Sequence, residues 1–177
     1  MKRAVEKLKA YSKKKQCWNV IIETPKGSSV KYSYDEKSGL LTLSKALPEG
    51  MTFPFNFGFI PQTLAADGDP IDVLVLNEEP LEPGCYLHVK AVGVIEAVQT
   101  EGKKKVRNDR IIAQAIPKEA PTDLEELKLT EKVVSQIATF FKSYNDASGK
   151  KFEIIKTGGR GKARKLIERG VRAANGK

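Results

Sequence analysis

Asp67-Gly68-Asp69-Pro70-Ile71-Asp72, running straight into Val73-Leu74-Val75-Leu76, is the segment whose residue types and spacing could do chemistry. Three carboxylates within six residues raise each other's pKa unless a cation neutralises them. Hard divalent cations bind such oxygens, and Mg²⁺ in particular takes a few carboxylates while substrate phosphates complete its shell. Gly68 permits a tight backbone turn, and Pro70 stiffens the loop ahead of the strand. An EF-hand loop fits poorly, because Ile71 and Asp72 stand where its fifth and sixth positions want an oxygen ligand and a glycine. A solvated Asp/Gly/Pro turn is the plain alternative. The reading with chemical content is a metal-phosphate site at the start of a strand.

The elements that must position this loop follow from periodicity. Residues 2–15 place Ala4, Val5, Leu8 and Tyr11 at helical intervals among lysines and arginines. Trp18–Thr24 reads as a strand. Val30–Tyr34 and Leu40–Leu43 read as a hairpin, with Gly39 suited to its turn. Residues 51–60 place Phe53, Phe55, Phe57 and Phe59 on one face of an extended segment, a pattern typical of a sheet's buried face. Ile71–Leu76 is a nearly continuous apolar run, expected of a strand buried on both sides. Tyr86–Val98 and Arg110–Ile116 read as further strands around a basic hairpin tip, Glu101–Asn108. From Asp123, capped by Thr122-Asp123, the positions Leu124, Leu127, Val133, Val134, Ile137, Phe140, Phe141 and Tyr144 follow helical spacing. A break at Gly149, a short strand Phe152–Ile155 and a basic helix Ala163–Ala174 complete the chain. The expected fold class is α+β, a small barrel with helices gathered at its ends.

Length and composition agree. With 177 residues and 40% hydrophobic content the chain has the size of one domain and too much apolar content for disorder. We expect one domain over 1–177: a basic N-terminal helix over 1–17, a barrel core over 18–120, and C-terminal helices and strand over 121–177. No apolar run approaches a membrane span, no secretory h-region follows the basic start, and two cysteines are too few for a disulfide framework. The expectation is a cytoplasmic protein without membrane partners. The formal charge of +9 divides unevenly: residues 1–18 carry +6, residues 149–177 carry +8, and the body between them carries −5. Basic ends attract polyanions such as nucleic acid. An isolated charge run is more often a solvated helix face, so nucleic-acid binding is not the expectation. Thr157-Gly-Gly-Arg-Gly-Lys-Ala-Arg-Lys165 resembles a phosphate loop but lacks the Walker A glycine at Lys156 and the Ser/Thr at Ala163. His88 is the only histidine and Cys85 has no base nearby in sequence, so neither is read as catalytic.

Further motifs carry a resemblance. In order, the chain shows I-I-E-T-P (21–25), V-K-Y (30–32), S-G-L-L (38–41), F-P-F-N-F-G-F-I-P-Q-T (53–63) and D-G-D-P-I-D-V-L-V-L (67–76). P-L-E-P-G (80–84), V-G-V-I (92–95) and F-F-K-S-Y (140–144) follow. In motif order and spacing from about Trp18 to Tyr144, the sequence resembles the soluble family I inorganic pyrophosphatases. The resemblance implies an OB-like five-stranded barrel with flanking helices and metal-dependent hydrolysis of inorganic diphosphate. It implies Mg²⁺ as cofactor, with Mn²⁺ as an alternative, a small anionic phosphate substrate and a homo-oligomer. By the same resemblance Asp67 and Asp72 would be metal ligands, and Glu23 would reach a further metal through water. Asp69 would accept the proton of the attacking water. Lys31, Lys45, Arg110 and Tyr144 would hold the phosphates.

Departures from the family pattern cluster in that site. Ser33 stands where the family has a carboxylate, Lys45 where it has an arginine, and Phe53 and Phe57 where it has tyrosines. Two hairpin aspartates fall near Gln99 and at Asn108, and two lysines become Arg110 and Asn145. Neutral amides in place of those aspartates should weaken two or more metal positions. Asp109 or Glu101 could replace them only if the loop is reshaped, because in a regular strand Asp109 faces away from the Asn108 side. Three outcomes stay open: a diphosphate hydrolase with altered metal use or low activity, a hydrolase of a larger phosphoanhydride or phosphoester, or a non-catalytic binding protein on the same fold.

Overall fold

The computed structural model describes residues 2–119 and 125–176. It contains three helices, α1 (Lys2–Lys7), α2 (Glu131–Asp146) and α3 (Arg160–Asn175). The strands are β1 (Tyr11–Ser12), β2 (Cys17–Thr24), β3 (Val30–Asp35), β4 (Leu40–Ala46) and β5 (Asn56–Ile60). They continue with β6 (Ile71–Leu76), β7 (Tyr86–Glu101), β8 (Lys104–Arg107), β9 (Arg110–Ile116) and β10 (Lys151–Gly159). The main sheet runs β1-β2-β5-β6-β9-β7-β10, with β8 on β7, and a further β2–β7 pairing closes β2-β5-β6-β9-β7 into a five-stranded barrel. Only β6 and β9 pair in parallel within it. The fold is thus α+β, an OB-like barrel with flanking helices.

Alternation along the strands divides the core into two faces. Ile71, Val73 and Val75 of β6 join Val20, Ile22, Ile111 and α3's Ala163 and Ile167 in one apolar cluster. Leu74 joins Phe57, Ile112 and α2's Ile137, Phe140 and Phe141 in the other. The run Ile71–Leu76 is therefore covered from both sides, as its continuous apolarity predicts. The α2 face is the one that matters for chemistry. Across β5 and β6, Phe59 pairs with Asp72 and Phe57 with Leu74, so the last carboxylate of the acidic loop shares its face with the aromatics.

Several boundaries differ from the sequence reading. Helical spacing over 2–15 yields helix only to Lys7. Beyond it Ala10 is buried, its carbonyl accepting from the Asn19 N–H at 2.8 Å, and Tyr11–Ser12 pairs with Cys17–Trp18. Pairing to a barrel strand overrides the weak local preference. The segment 51–60 is a strand only from Asn56, because Phe53 reaches the core from the preceding turn. Helix α2 starts at Glu131, with Thr130 as the N-cap accepting from Val133 N at 3.3 Å. The expected cap Thr122-Asp123 and Leu124 lie outside the described residues. Leu127 lies outside any helix or strand, and its N–H donates to the Gln114 side chain at 3.0 Å. β10 is longer than expected and leads directly into α3, so the glycine-rich basic segment is a strand end and a helix start.

Candidate active site

The loop before β6 is shaped by backbone bonds. The Ala65 N–H donates to the Asp69 carbonyl at 2.7 Å, and the Gly68 N–H donates to Ala65 O at 3.2 Å. Gly68 takes φ +99°, a conformation that a side chain disfavours. Buried Thr63 ties both ends, donating to Ile60 O at 2.6 Å and accepting from Ile71 N at 2.9 Å. Asp67 and Asp69 stand at the rim, and Asp72 opens the strand.

A cavity of about 630 Å³ lies between this loop, the α2 face of the barrel and the β3–β4 hairpin. All eight residues expected from sequence line it: Glu23, Lys31, Lys45, Asp67, Asp69, Asp72, Arg110 and Tyr144. So do the departures Ser33, Phe53, Phe57, Gln99, Asn108 and Asn145. The carboxylates and the lysines come from different elements. Lys31 and Lys45 are direct cross-strand partners on the hairpin, a like-charge pair that an anion between them would relieve. Lys45 Nζ also lies 3.7 Å from the Tyr144 ring centroid and donates to Ser148 Oγ at 2.7 Å. Tyr144 arrives on α2, whose apolar face packs it against Phe53 and Phe140.

Burial sets the electrostatics. Glu23 is pushed up to about 7, by burial first and then by Asp72 and Asp69, against the Tyr34 N–H that its Oε1 accepts at 2.6 Å. Burial at the loop, with Asp72 and Asp69 adding, also raises the Asp67 carboxyl, although the residue as a whole is exposed. Lys45 is lowered by burial and by Lys31 and Lys150. Tyr144 is pushed up to about 12 by burial, so its hydroxyl keeps its proton. Glu23 and Asp67, which resist ionising, and Lys45, which resists protonation, thus share one cavity with charges of both signs.

Arg110 is a cation already paired with a carboxylate of the acidic loop. Its Nη1 lies 2.7 Å from Asp72 Oδ2, and its guanidinium carbon is 5.0 Å from the Phe141 ring centroid and 5.8 Å from that of Phe57. Nη1 also donates to Asn108 Oδ1, and Asn108 Nδ2 donates to Gln99 Oε1 at 3.0 Å. Asp109 is turned away, accepting from Ala97 N at 3.0 Å and pairing with Arg107. Glu101 pairs with Lys150 at 2.9 Å and lines a smaller adjoining hollow with Asp67.

The carboxylates fit a divalent ion of one kind. Among the described residues no three Asp, Glu, His or Cys side chains converge into a protein-only cage. The set suits an ion held by one or two carboxylates that takes the rest of its shell from water and phosphate, the habit of Mg²⁺. Sequence reasoning missed Tyr34, whose N–H holds Glu23 and whose ring stacks on Phe59 at 5.5 Å. It also missed Lys150, which joins the basic wall after the Gly149 turn. No local signal marks either one. The aromatic series is part core and part lining: Phe53, Phe57 and Phe59 face the cavity, and Phe55 does not. His88 bonds Asn19 at 2.9 Å and lies outside the cavity lining, and both cysteines are free.

Fold and cavity together define a class: OB-like barrels carrying a two-signed pocket for a small anion. The profile of the Pyrophosphatase family, described as inorganic pyrophosphatase, matches residues 20–175. An inorganic pyrophosphatase of Brucella melitensis is 41% identical over 169 residues, covering 90% of this chain and 91% of the relative. One from Nanoarchaeum equitans is 43% identical over 153 residues, covering 83% and 91%. The solved inorganic pyrophosphatase of Helicobacter pylori superposes with a TM-score of 0.83 at 30% identity, covering 96% of this chain and 99% of that one. The chain belongs to the soluble family I inorganic pyrophosphatases.

Proposed function

We propose that the chain hydrolyses inorganic diphosphate to two phosphates with a divalent ion, Mg²⁺ by preference. The observation that carries this is the single cavity in which Asp67, Asp69, Asp72 and Glu23 face Lys31, Lys45 and Tyr144. Asp67 and Asp72 are the residues to hold the ion, with Glu23 behind them. When bound, the ion supplies positive charge that neutralises phosphate oxygens and makes water more acidic. Asp69, at the exposed rim, accepts the proton of the attacking water. Lys31 and Lys45 bind the phosphoryl oxygens electrostatically, and the protonated Tyr144 hydroxyl donates to the leaving phosphate.

The test is phosphate release from diphosphate with Mg²⁺ or Mn²⁺. Asp69→Asn should lower turnover by roughly 10²–10⁴-fold, the usual contribution of a positioned general base, with the circular-dichroism spectrum unchanged. Purified protein that releases no phosphate with any divalent ion overturns the reading.

A second reading, a larger phosphoanhydride or phosphoester substrate, has one observation in its favour. The cavity has the volume of an organic-ligand pocket, ~300–1,000 Å³, and Phe53, Phe57, Phe59 and Phe141 form aromatic walls. A panel of nucleotides, sugar diphosphates and polyphosphates decides; uniformly lower rates than with diphosphate reject it. We also infer one domain across 1–177, supported by β10 and α3 building onto β7. Cytoplasmic location and self-association belong to the same reading. No helix among the described residues is long and apolar enough to cross a membrane. Leu40 and Leu43 leave apolar surface on the hairpin.

A further inference from the structure

We propose that Arg110 is a resident counter-charge of this site, a side-chain cation that holds Asp72 and limits how many divalent ions the cavity accepts. The inference rests on the metal-diphosphate reading above. Its first support is register. β6 and β9 run parallel with Val73 opposite Ile111, which sets Asp72 beside Arg110 one position earlier on both strands. The ion pair at 2.7 Å is thus built into strand pairing rather than left to two mobile surface chains.

Burial and shape add to this. The Arg110 side chain is only 7% exposed and lies against the rings of Phe57 and Phe141. Its Nε–H is buried without an acceptor. An unpaired buried donor is costly, so the guanidinium is retained there by the carboxylate and the ring faces. Beyond it the wall continues through Asn108 and Gln99, amides that bond each other and Arg110 and carry no charge. One side of the cavity therefore runs Asp72, Arg110, Asn108, Gln99 with its single negative charge already matched.

A divalent ion approaching Asp72 meets a fixed positive charge on the same carboxylate. It must share that oxygen donor or displace the guanidinium from between two rings. Of the carboxylates assigned to the ion, Asp67 and Glu23 have no such partner, so a first ion is held mainly from the loop side and shares Asp72 with the guanidinium. The arginine supplies its charge at every metal concentration. Phosphate binding on its side then needs no second ion.

Calorimetric titration of the substrate-free chain with Mn²⁺ alone tests this. Arg110→Met, which keeps length and apolar filling between the rings, should take one more equivalent of Mn²⁺ or bind it at least tenfold tighter. Arg110→Lys, which keeps the charge, should titrate as the unmodified chain does. Arg110→Gln, uncharged and of similar reach, should also tighten Mn²⁺ binding at least tenfold; it serves if Arg110→Met does not fold. Folded Arg110→Met with unchanged or weaker Mn²⁺ binding overturns the proposal, as does unchanged binding in folded Arg110→Gln. A chain that binds Mn²⁺ as expected yet releases no phosphate from diphosphate overturns the proposed function and leaves the counter-charge standing.

Discussion

Lys45 holds its charge against resistance, because burial and two neighbouring lysines pull its pKa below the ordinary lysine value. For a base, a lowered pKa means that the proton leaves at a lower pH than it would in solution. Diphosphate binding should accordingly weaken on the alkaline side before an ordinary lysine would titrate. KM measured against pH should rise there, and Lys45→Arg should move that rise to higher pH, since a guanidinium stays protonated. An alkaline limb identical in both proteins removes Lys45 from phosphate binding. Tyr144 behaves oppositely: pushed up to about 12, it stays a donor throughout this range and does not contribute to the limb.

At the scale of elements, the site depends on how closely β5 crosses β2. A Cβ at Gly58 would lie 2.1 Å from the Ile21 carbonyl oxygen, a contact that backbone must move to relieve. Gly58 stands between Phe57 and Phe59, and Ile21 lies two residues before Glu23. Gly58→Ala should therefore destabilise the fold by about 2–3 kcal/mol, in the range of core overpacking. A chain of this length then melts roughly 5–10 °C lower. Because β5 carries cavity walls, the variant should also lose diphosphate affinity at temperatures where it remains folded. Melting unchanged within a degree or two contradicts this account of the crossing. Helix α2 plays the complementary part. Its buried stripe of Ile137, Phe140 and Phe141 fixes its rotation, and that rotation delivers Tyr144 over Lys45.

Across the whole molecule, the basic ends and the reaction separate. Arg160 pairs with Glu126, Lys162 with Glu96 and Arg164 with Glu168, so much of α3's charge meets surface acids away from the cavity. Solvent-screened pairs such as Arg160–Glu126 and Arg164–Glu168 contribute little to stability. The apolar clusters on both faces of the barrel carry the fold, so removing divalent ions should stop hydrolysis without unfolding the chain. Adding Mg²⁺ with a non-hydrolysable diphosphate analogue at a hundred times its Kd should stabilise the native state by about 2.7 kcal/mol. Differential scanning calorimetry should show this as a rise of roughly 5–10 °C, absent with chelator present. An analogue that shifts melting equally with and without metal contradicts metal-dependent binding.

Local chemistry by itself determined much of this protein. The run Ile71–Leu76 is too apolar to face water on either side. The spacing of Asp67, Asp69 and Asp72 admits a cation site as well as a solvated turn, and the resemblance carried by the motif order brings Glu23, Lys31, Lys45, Arg110 and Tyr144 into one candidate set with them. The buried strand and the acidic loop are legible because each depends on a few neighbouring residues. The length of α1, the start of α2, the grip of the Tyr34 N–H on Glu23 and the arrival of Lys150 were not legible, because each is settled by a partner far along the chain. Arg110 shows the difference most clearly. The resemblance places it among phosphate-binding cations, and the register of β6 against β9 adds what the sequence did not show, its pairing with Asp72. Only strand pairing decides which opposite charge a side chain meets, and that pairing is a property of the closed barrel.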